Sequence, residues 1–304
     1  MAPERSFDQS NRCEGEKRRL FDHTLRCNGR ARRYVNTACH TDFQMDSPLP
    51  PAVEPGNAFV DVGHGIARIT FSHPKSNSLP GVLLNDLAKE FDALAKASDV
   101  RVIILQSQGG STFCAGASFA EFKAITNAAE GKEFFSGFAR LVLAMIRCPQ
   151  FVLGRVHGKA AGGGIGMIAA CDYSFALDTA SVRLSELALG IGPFIVGPVI
   201  ERKVGLGAFA GMAIDTEWRD AAWCERHGLF SRVFDTNHAM DAVLNVTATR
   251  LANSNPHAMA RMKRMFWGGT DHWETLLFER AAMSGELVLS DYTKRAVAAF
   301  DTRA

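Results

Sequence analysis

The chain has 304 residues, 47 % hydrophobic and 22 % charged, and its 34 Lys and Arg against 32 Asp and Glu leave a formal charge of +2. This is ordinary usage for a folded protein that can bury one large core or two smaller ones, and it excludes a disordered or fibrous chain. So even a balance gives no broad electrostatic grip, so neither nucleic acid nor an anionic membrane is expected as a partner.

The seven cysteines are odd in number and include no CxxC pair. They suit neither a disulfide framework nor a zinc site, and no metal is expected. A reducing compartment fits, the cytoplasm or, in a eukaryote, the mitochondrial matrix. Gly, Arg or Asp interrupts every apolar stretch before the ~18 to 20 residues that span a bilayer, so a soluble protein is expected.

Along the chain, residues 1–50 stand apart. Met1 to Asp46 is rich in Arg, Asn, Asp and Glu and lacks helical or strand periodicity, so disorder is expected there. The arginines would suit a transit peptide, but Glu4, Asp8, Glu14, Glu16 and Asp22 speak against one. An upstream extension ahead of a true start at Met45 is the alternative. "SPLPPAVEPG" (Ser47 to Gly56) reads as a stiff linker.

Regular structure follows. Phe59 to Val62 and Ile66 to Phe71, joined by Gly63-His64-Gly65, read as a hairpin. Leu84, Leu87, Phe91 and Leu94 give one apolar helical stripe, with Lys89, Glu90 and Lys96 outside it. Val100 to Ser107 is a buried strand ending at Gly109-Gly110. Phe134, Phe138, Leu141 and Met145 mark a second amphipathic helix, stopped at Pro149. Strand Phe151 to Val156, the glycine cluster "HGKAAGGGIGM" (His157 to Met167), a short helix and strand Tyr173 to Leu177 come next. Strands alternating with helices argue for an α/β fold. From about Ala208 the chain reads as a helical appendage almost free of strand signal, with Trp267, Trp273 and Phe278 as local core or as an oligomer contact.

The glycine cluster fits no common phosphate or nucleophile motif. A GxGxxG frame from Gly162 would need glycine where Met167 stands, GK[ST] is absent, and Gly116-Ala117-Ser118-Phe119-Ala120 lacks the last glycine of GxSxG. What remains is a glycine-rich turn feeding a helix N-terminus, whose free N–H groups favour negative charge. A second such turn lies in "STFCAGASFAEF" (Ser111 to Phe122), with a helix expected from near Ser118. Two turns of this kind could converge on one oxygen, although small-residue turns before helices also serve packing alone.

"FCAGASFAEF", then "GKAAGGGIGM", then "SELALGIGPF" resemble the crotonase superfamily, also called the enoyl-CoA hydratase/isomerase family, and the resemblance runs from about Phe59 to the C-terminus. It implies a crotonase-like ββα spiral core over residues 51–245 and a C-terminal helical trimerisation region over 246–304. It also implies a homotrimer or homohexamer and an acyl-CoA thioester substrate, with coenzyme A part of that substrate and no separate cofactor. By motif, the backbone amides of Ala117 and Gly163 would hold the thioester oxygen. Lys75, Ser76 and Asn77 in the early loop "HPKSNSL", with Ala115, Gly162 and Gly164, would line the bound substrate and coenzyme A.

Hydratases of the family carry two glutamates. Here the first position is Gly166 and only the second, Glu186, is acidic. A double-bond shift needs one base, whereas adding water needs water positioned and activated as well. Glu186 alone therefore favours Δ3,Δ2-enoyl-CoA isomerisation, which the similarity of "LGIGPF" to the isomerases of this family supports. Hydration and a non-catalytic or RNA-binding homologue are the alternatives, the last without a basic stripe to support it. Burial beside Leu184, Leu187, Ile191 and Phe194 should raise the pKa of Glu186. Glu121 is expected to face solvent, His157 to pack, and Asp172 to tie the loop down.

Overall fold

The computed structural model describes residues 31–35 and 54–301. Its large sheet runs in the order β1 (Ala31–Val35), β2 (Asn57–Gly63), β3 (Ile66–Ser72), β4 (Val102–Ser107), β6 (Phe151–Val156), β8 (Tyr173–Leu177) and β11 (Arg232–Phe234). The first three strands are antiparallel and the rest pair in parallel. A small sheet runs β10 (Arg219–Asp220), β9 (Ser181–Arg183), β7 (Lys159–Ala161) and β5 (Thr112–Cys114).

The two sheets are filled alternately. After β3 comes helix α1 (Gly81–Ala95). β4 leads to β5 and then to helices α2 (Phe119–Ala124) and α3 (Ala128–Arg147); β6 leads to β7 and α4 (Gly163–Ala170); β8 leads to β9, a 3-10 turn (Leu187–Leu189), α5 (Gly197–Val204) and α6 (Leu206–Asp215). Each cycle is one ββα turn of a spiral. Parallel pairing of β5 with β7 and of β7 with β9 sets the ends of successive turns side by side.

Local chemistry explains the elements. The β2–β3 hairpin turns through His64 and Gly65, both at positive φ (54° and 78°), as a two-residue turn with the primed twist requires. Strands β4, β6 and β8 read as continuous apolar runs because both faces of the sheet are covered. Leu105, Val152 and Val156 face the main core with α1 and α3, whereas Val102, Ile104, Phe151, Leu153 and Phe175 face Met240, Leu244 and Met259 on the other side. The stripes of α1 and α3 are buried as expected, and α3 ends at Arg147, two residues before Pro149.

The C-terminal third holds α7 (Ala221–Arg226), α8 (Asn237–Ala252), α9 (Pro256–Phe266), α10 (Trp273–Leu287) and α11 (Asp291–Asp301). As expected it is mostly helical, with the short strands β10 and β11 as the exceptions after Ala208. The strand β11 closes the edge of the large sheet beside β8, and at three residues it is too short to show a period. The expected boundary at 245/246 falls inside α8, and Trp267, Trp273, Leu277 and Ala281 join the main core, so these helices fold back on their own chain. The expectation for residues 1–50 lies outside the described residues except at 31–35, which pair with β2.

Candidate active site

Three consecutive turns of the spiral deliver three pieces of one site. β5 ends at Cys114, just before Ala117; β7 ends at Ala161, just before Gly163; β9 ends at Arg183, just before Glu186. The first turn contributes too, since Leu79 makes a parallel bridge to Ala117: Leu79 N donates to Gly116 O at 2.8 Å and Ser118 N to Leu79 O at 3.1 Å. This bridge engages the groups on either side of Ala117 and leaves its own N–H unused. The N–H of Gly163, first residue of α4, likewise has no acceptor, as the geometry of a helix start dictates. Both residues line the same cavity.

Glycine is required here by space as well as by backbone angle. Gly162 has φ 49° and ψ −118°, which a side chain would not tolerate. A Cβ on Gly116 (φ 88°) would sit 2.8 Å from Ala161 O, so the two amide-bearing turns are in direct contact. A Cβ on Gly163 would lie 2.8 Å from Phe138 Cδ1 and closer still to Cε1. The aromatic ring of Phe138 therefore lies flush against the backbone that carries the second amide.

Glu186 precedes the 3-10 turn, and its carboxylate reaches back over Gly162: a Cβ there would be 2.9 Å from Oε1. Part of its stem is open to the cavity, but Oε2 is sealed from solvent and has no hydrogen-bond partner. Burial pushes the carboxyl up to about 7 from an ordinary 4.5, and the backbone N–H groups of Glu186 and Ser185 offset this only in part. The expected apolar surroundings hold for Ile191 and Phe194, which line the cavity, while Leu189 stands there in place of Leu187, which is half exposed.

The early loop is pinned firmly. Ser76 and Asn77 take positive φ (52° and 55°). Asn77 Nδ2 donates to Gln108 O at 2.7 Å and to Thr112 O at 2.9 Å, while its Oδ1 accepts from His73 N at 3.0 Å. His73 Nδ1 accepts from Lys75 N at 3.1 Å, which leaves Nε2 to donate to Glu54 O at 2.9 Å. Ser76 and Ala115 line the cavity with Gly162 and Gly163, and Ser76 O accepts from Ala115 N at 3.0 Å. Three of the expected residues lie off the cavity wall. Asn77 is buried with its side chain committed to backbone, Gly164 is packed against Cys114, and Lys75 is exposed outside the cavity wall.

Glu121, expected in solvent, is half-buried instead. Its Oε2 accepts from Gly81 N at 2.6 Å and so caps the start of α1, which Pro80 cannot do with a side chain. Asp172 ties down more than a loop. Its Oδ2 accepts from Val152 N at 2.8 Å and pairs with the fully buried Lys263 at 3.0 Å, and Oδ1 accepts from Trp267 Nε1 at 3.0 Å. His157 is buried, as expected for a packing residue.

The cavity encloses about 390 Å³, and its walls include Phe119, Phe122, Phe135, Phe138, Phe194 and Trp218. Phe119 stacks on Phe122, and Phe122 meets Phe135 edge to face at 6.1 Å. The sequence reading assigned the α3 phenylalanines to core alone and missed this second use. Their only sequence signal is the density of phenylalanine between residues 119 and 138. Val196 and Ser284 also reach the cavity, from elements far along the chain.

Comparison with known proteins agrees with this geometry. A family model described as enoyl-CoA hydratase/isomerase matches residues 61–301. A short-chain-enoyl-CoA hydratase of Clostridium acetobutylicum is 27 % identical over 252 residues, covering 82 % of this chain and 95 % of that protein. The mitochondrial methylglutaconyl-CoA hydratase of Rattus norvegicus is 31 % identical over 167 residues, covering 55 % of this chain and 53 % of that protein, about half its length. A crystal structure of an enoyl-CoA hydratase from Mycobacterium avium aligns with a TM-score of 0.70 at 25 % identity, covering 79 % of this chain and 92 % of that one. With a ββα spiral, two residues with free amides on one cavity and a match over nearly the whole described body, the chain belongs to the enoyl-CoA hydratase/isomerase family, the crotonase superfamily.

Proposed function

We propose that this protein isomerises 3-enoyl-CoA thioesters to 2-enoyl-CoA thioesters, with Glu186 as its single acid and base. The thioester oxygen accepts hydrogen bonds from the Ala117 and Gly163 amides. Glu186 takes a proton from C2, and the electron pair spreads through the enolate to that oxygen and to C4. The same carboxyl then returns the proton to C4, leaving the double bond between C2 and C3. Fixed N–H dipoles stabilise the enolate without reorganising, and one such donor is worth about 3 kcal/mol. A carboxyl of pKa about 7 exchanges protons well near neutral pH because neither of its forms is scarce.

The observation that carries this reading is the absence of room for a second carboxylate. A Cβ on Gly166 would lie 2.7 Å from Val196 Cβ, so packing closes the position where a hydratase of this family holds its other glutamate. Hydration of 2-enoyl-CoA is the second reading, favoured by the hydratase names of the relatives. The test offers trans-3-enoyl-CoA and trans-2-enoyl-CoA separately to the purified protein. Isomerisation without water addition supports the proposal. Rapid hydration overturns it, and binding without turnover of either points to a non-catalytic member.

Assembly as a trimer or a pair of trimers belongs to the same proposal. Leu206, Ile214, Val246, Met265 and Phe266 stand exposed and give such an assembly apolar surface to bury. Light scattering on the purified protein measures it.

A further inference from the structure

Helix α10 buries the stripe Trp273, Leu277, Ala281 and Ser284, spaced as one face of a helix. The last member is a hydroxyl where the pattern calls for an apolar group. Ser284 has no solvent exposure, its Oγ has no hydrogen-bond partner, and the residue lies on the cavity wall. A buried hydroxyl left unpaired costs stability, so its retention in such a stripe needs a use.

Two glycines put it there. A Cβ on Gly131 of α3 would lie 2.7 Å from Gly285 Cα, and one on Gly285 would lie 2.5 Å from Lys132 N, so the two helices meet backbone to backbone beside Ser284. Phe138, the ring against the Gly163 amide, is seven residues further along α3 than Gly131. At helical rise that is about 10 Å. Ser284 thus lies on the part of the wall beside Gly131, about 10 Å along α3 from the ring that meets the Gly163 amide.

Among the described residues, α3 and α10 contribute Phe135, Phe138 and Ser284 to the wall and no charge. The cationic side chains of the wall belong to other elements and have other contacts: Arg183 Nε donates to Thr216 O at 2.6 Å, and Lys159 Nζ lies 5.4 Å from the centre of the Trp218 ring. Arg280, one turn before Ser284 on α10, is engaged with Phe194 O at 3.2 Å and is not itself part of the wall; a carboxylate beside Ser284 would lose its hydration with no uncommitted cation on the wall to pair with. A neutral oxygen would find one donor.

We infer that Ser284 is a specificity residue, and that the acyl group this protein takes is a hydrocarbon chain bearing a neutral oxygen function, hydroxyl or carbonyl, near its far end. This rests on the acyl-CoA reading of the site. The experiment measures binding of saturated thioesters, on which no chemistry can occur. Hexanoyl-CoA and octanoyl-CoA are titrated against their ω-hydroxy counterparts, on the wild-type protein and on Ser284→Ala.

The wild-type protein is expected to prefer one of the hydroxylated chains. Ser284→Ala should weaken that ligand about tenfold, a typical value for one hydrogen bond in a buried site, and leave the hydrocarbon chains unchanged or tighter. The ligand-free variant should melt a few degrees higher, roughly 2 °C or more, since it loses an unpaired polar group; a purely structural serine would melt lower when truncated. Equal effects of Ser284→Ala on hydroxylated and plain chains would overturn the inference while leaving the acyl-CoA reading intact. Failure of all four thioesters to bind would overturn both.

Discussion

Val196 fills the place that a side chain on Gly166 would occupy: a Cβ there would stand 2.7 Å from Val196 Cβ and closer still to Cγ1. Gly166→Glu should therefore lower stability by about 1–3 kcal/mol or more through overpacking and should not create hydratase activity by itself. Pairing it with Val196→Ala makes room and should recover part of the stability. Thermal melts with a hydration assay on 2-enoyl-CoA decide; a single variant as stable as wild type would show that the position is open after all.

The shifted carboxyl of Glu186 sets the pH dependence. As a base it must be ionised, so kcat/KM for isomerisation should rise with pH and level off with a midpoint near 7. Glu186→Gln removes this limb, and a pH profile shows it directly.

Stability should move the other way. The folded pKa lies above the ordinary 4.5, so the native state holds the proton more tightly than the unfolded chain. Wild-type stability then falls as pH rises from about 4.5 to about 7, by at most about 3 kcal/mol, and stays lowered above that. Glu186→Gln lacks this loss and should melt higher than wild type at pH 8, with the two converging near pH 4. Parallel melting curves over that range would contradict the buried carboxylate.

The contact of Phe138 with Gly163 leaves no space for a methyl group. Gly163→Ala should displace the second amide and lower kcat about 100-fold, with a smaller effect on KM, because the lost interaction is strongest in the transition state. Steady-state kinetics on 3-enoyl-CoA measure the split. A change confined to KM would mean that this amide holds ground and transition states alike.

Lys263 is buried with Nζ between Asp172 Oδ2 (3.0 Å), Met145 O (2.7 Å) and Gln150 O (2.8 Å). Lys263→Met strands the carboxylate and two carbonyls and should cost about 3–5 kcal/mol, read by urea unfolding. Because the pair joins α9 to the β6 and α4 region rather than to the cavity, acyl-CoA affinity of the folded variant should change little.

The sequence showed two small-residue turns, each between an apolar strand and a helix, but the choice of Ala117, Gly163 and Glu186 within it rested on the family resemblance, since a lone glutamate before an apolar run is most often solvated. Position 166 was informative as a glycine, though only packing shows Val196 to be the reason. What escaped depends on residues far apart in the chain. Glu121 caps a helix that starts 40 residues earlier, Asn77 braces Gln108 and Thr112, and Ser284 arrives by a glycine contact between α3 and α10. Strand β11 escaped because three residues carry no period.

The most direct measurement places wild type and Glu186→Gln side by side on trans-3-enoyl-CoA, with thioester affinity determined in the same samples. A lone buried carboxylate making both proton transfers predicts rapid formation of trans-2-enoyl-CoA by wild type and a loss of at least about 1000-fold in the variant, at an affinity unchanged within about threefold. Comparable rates from the two proteins would contradict that role for Glu186.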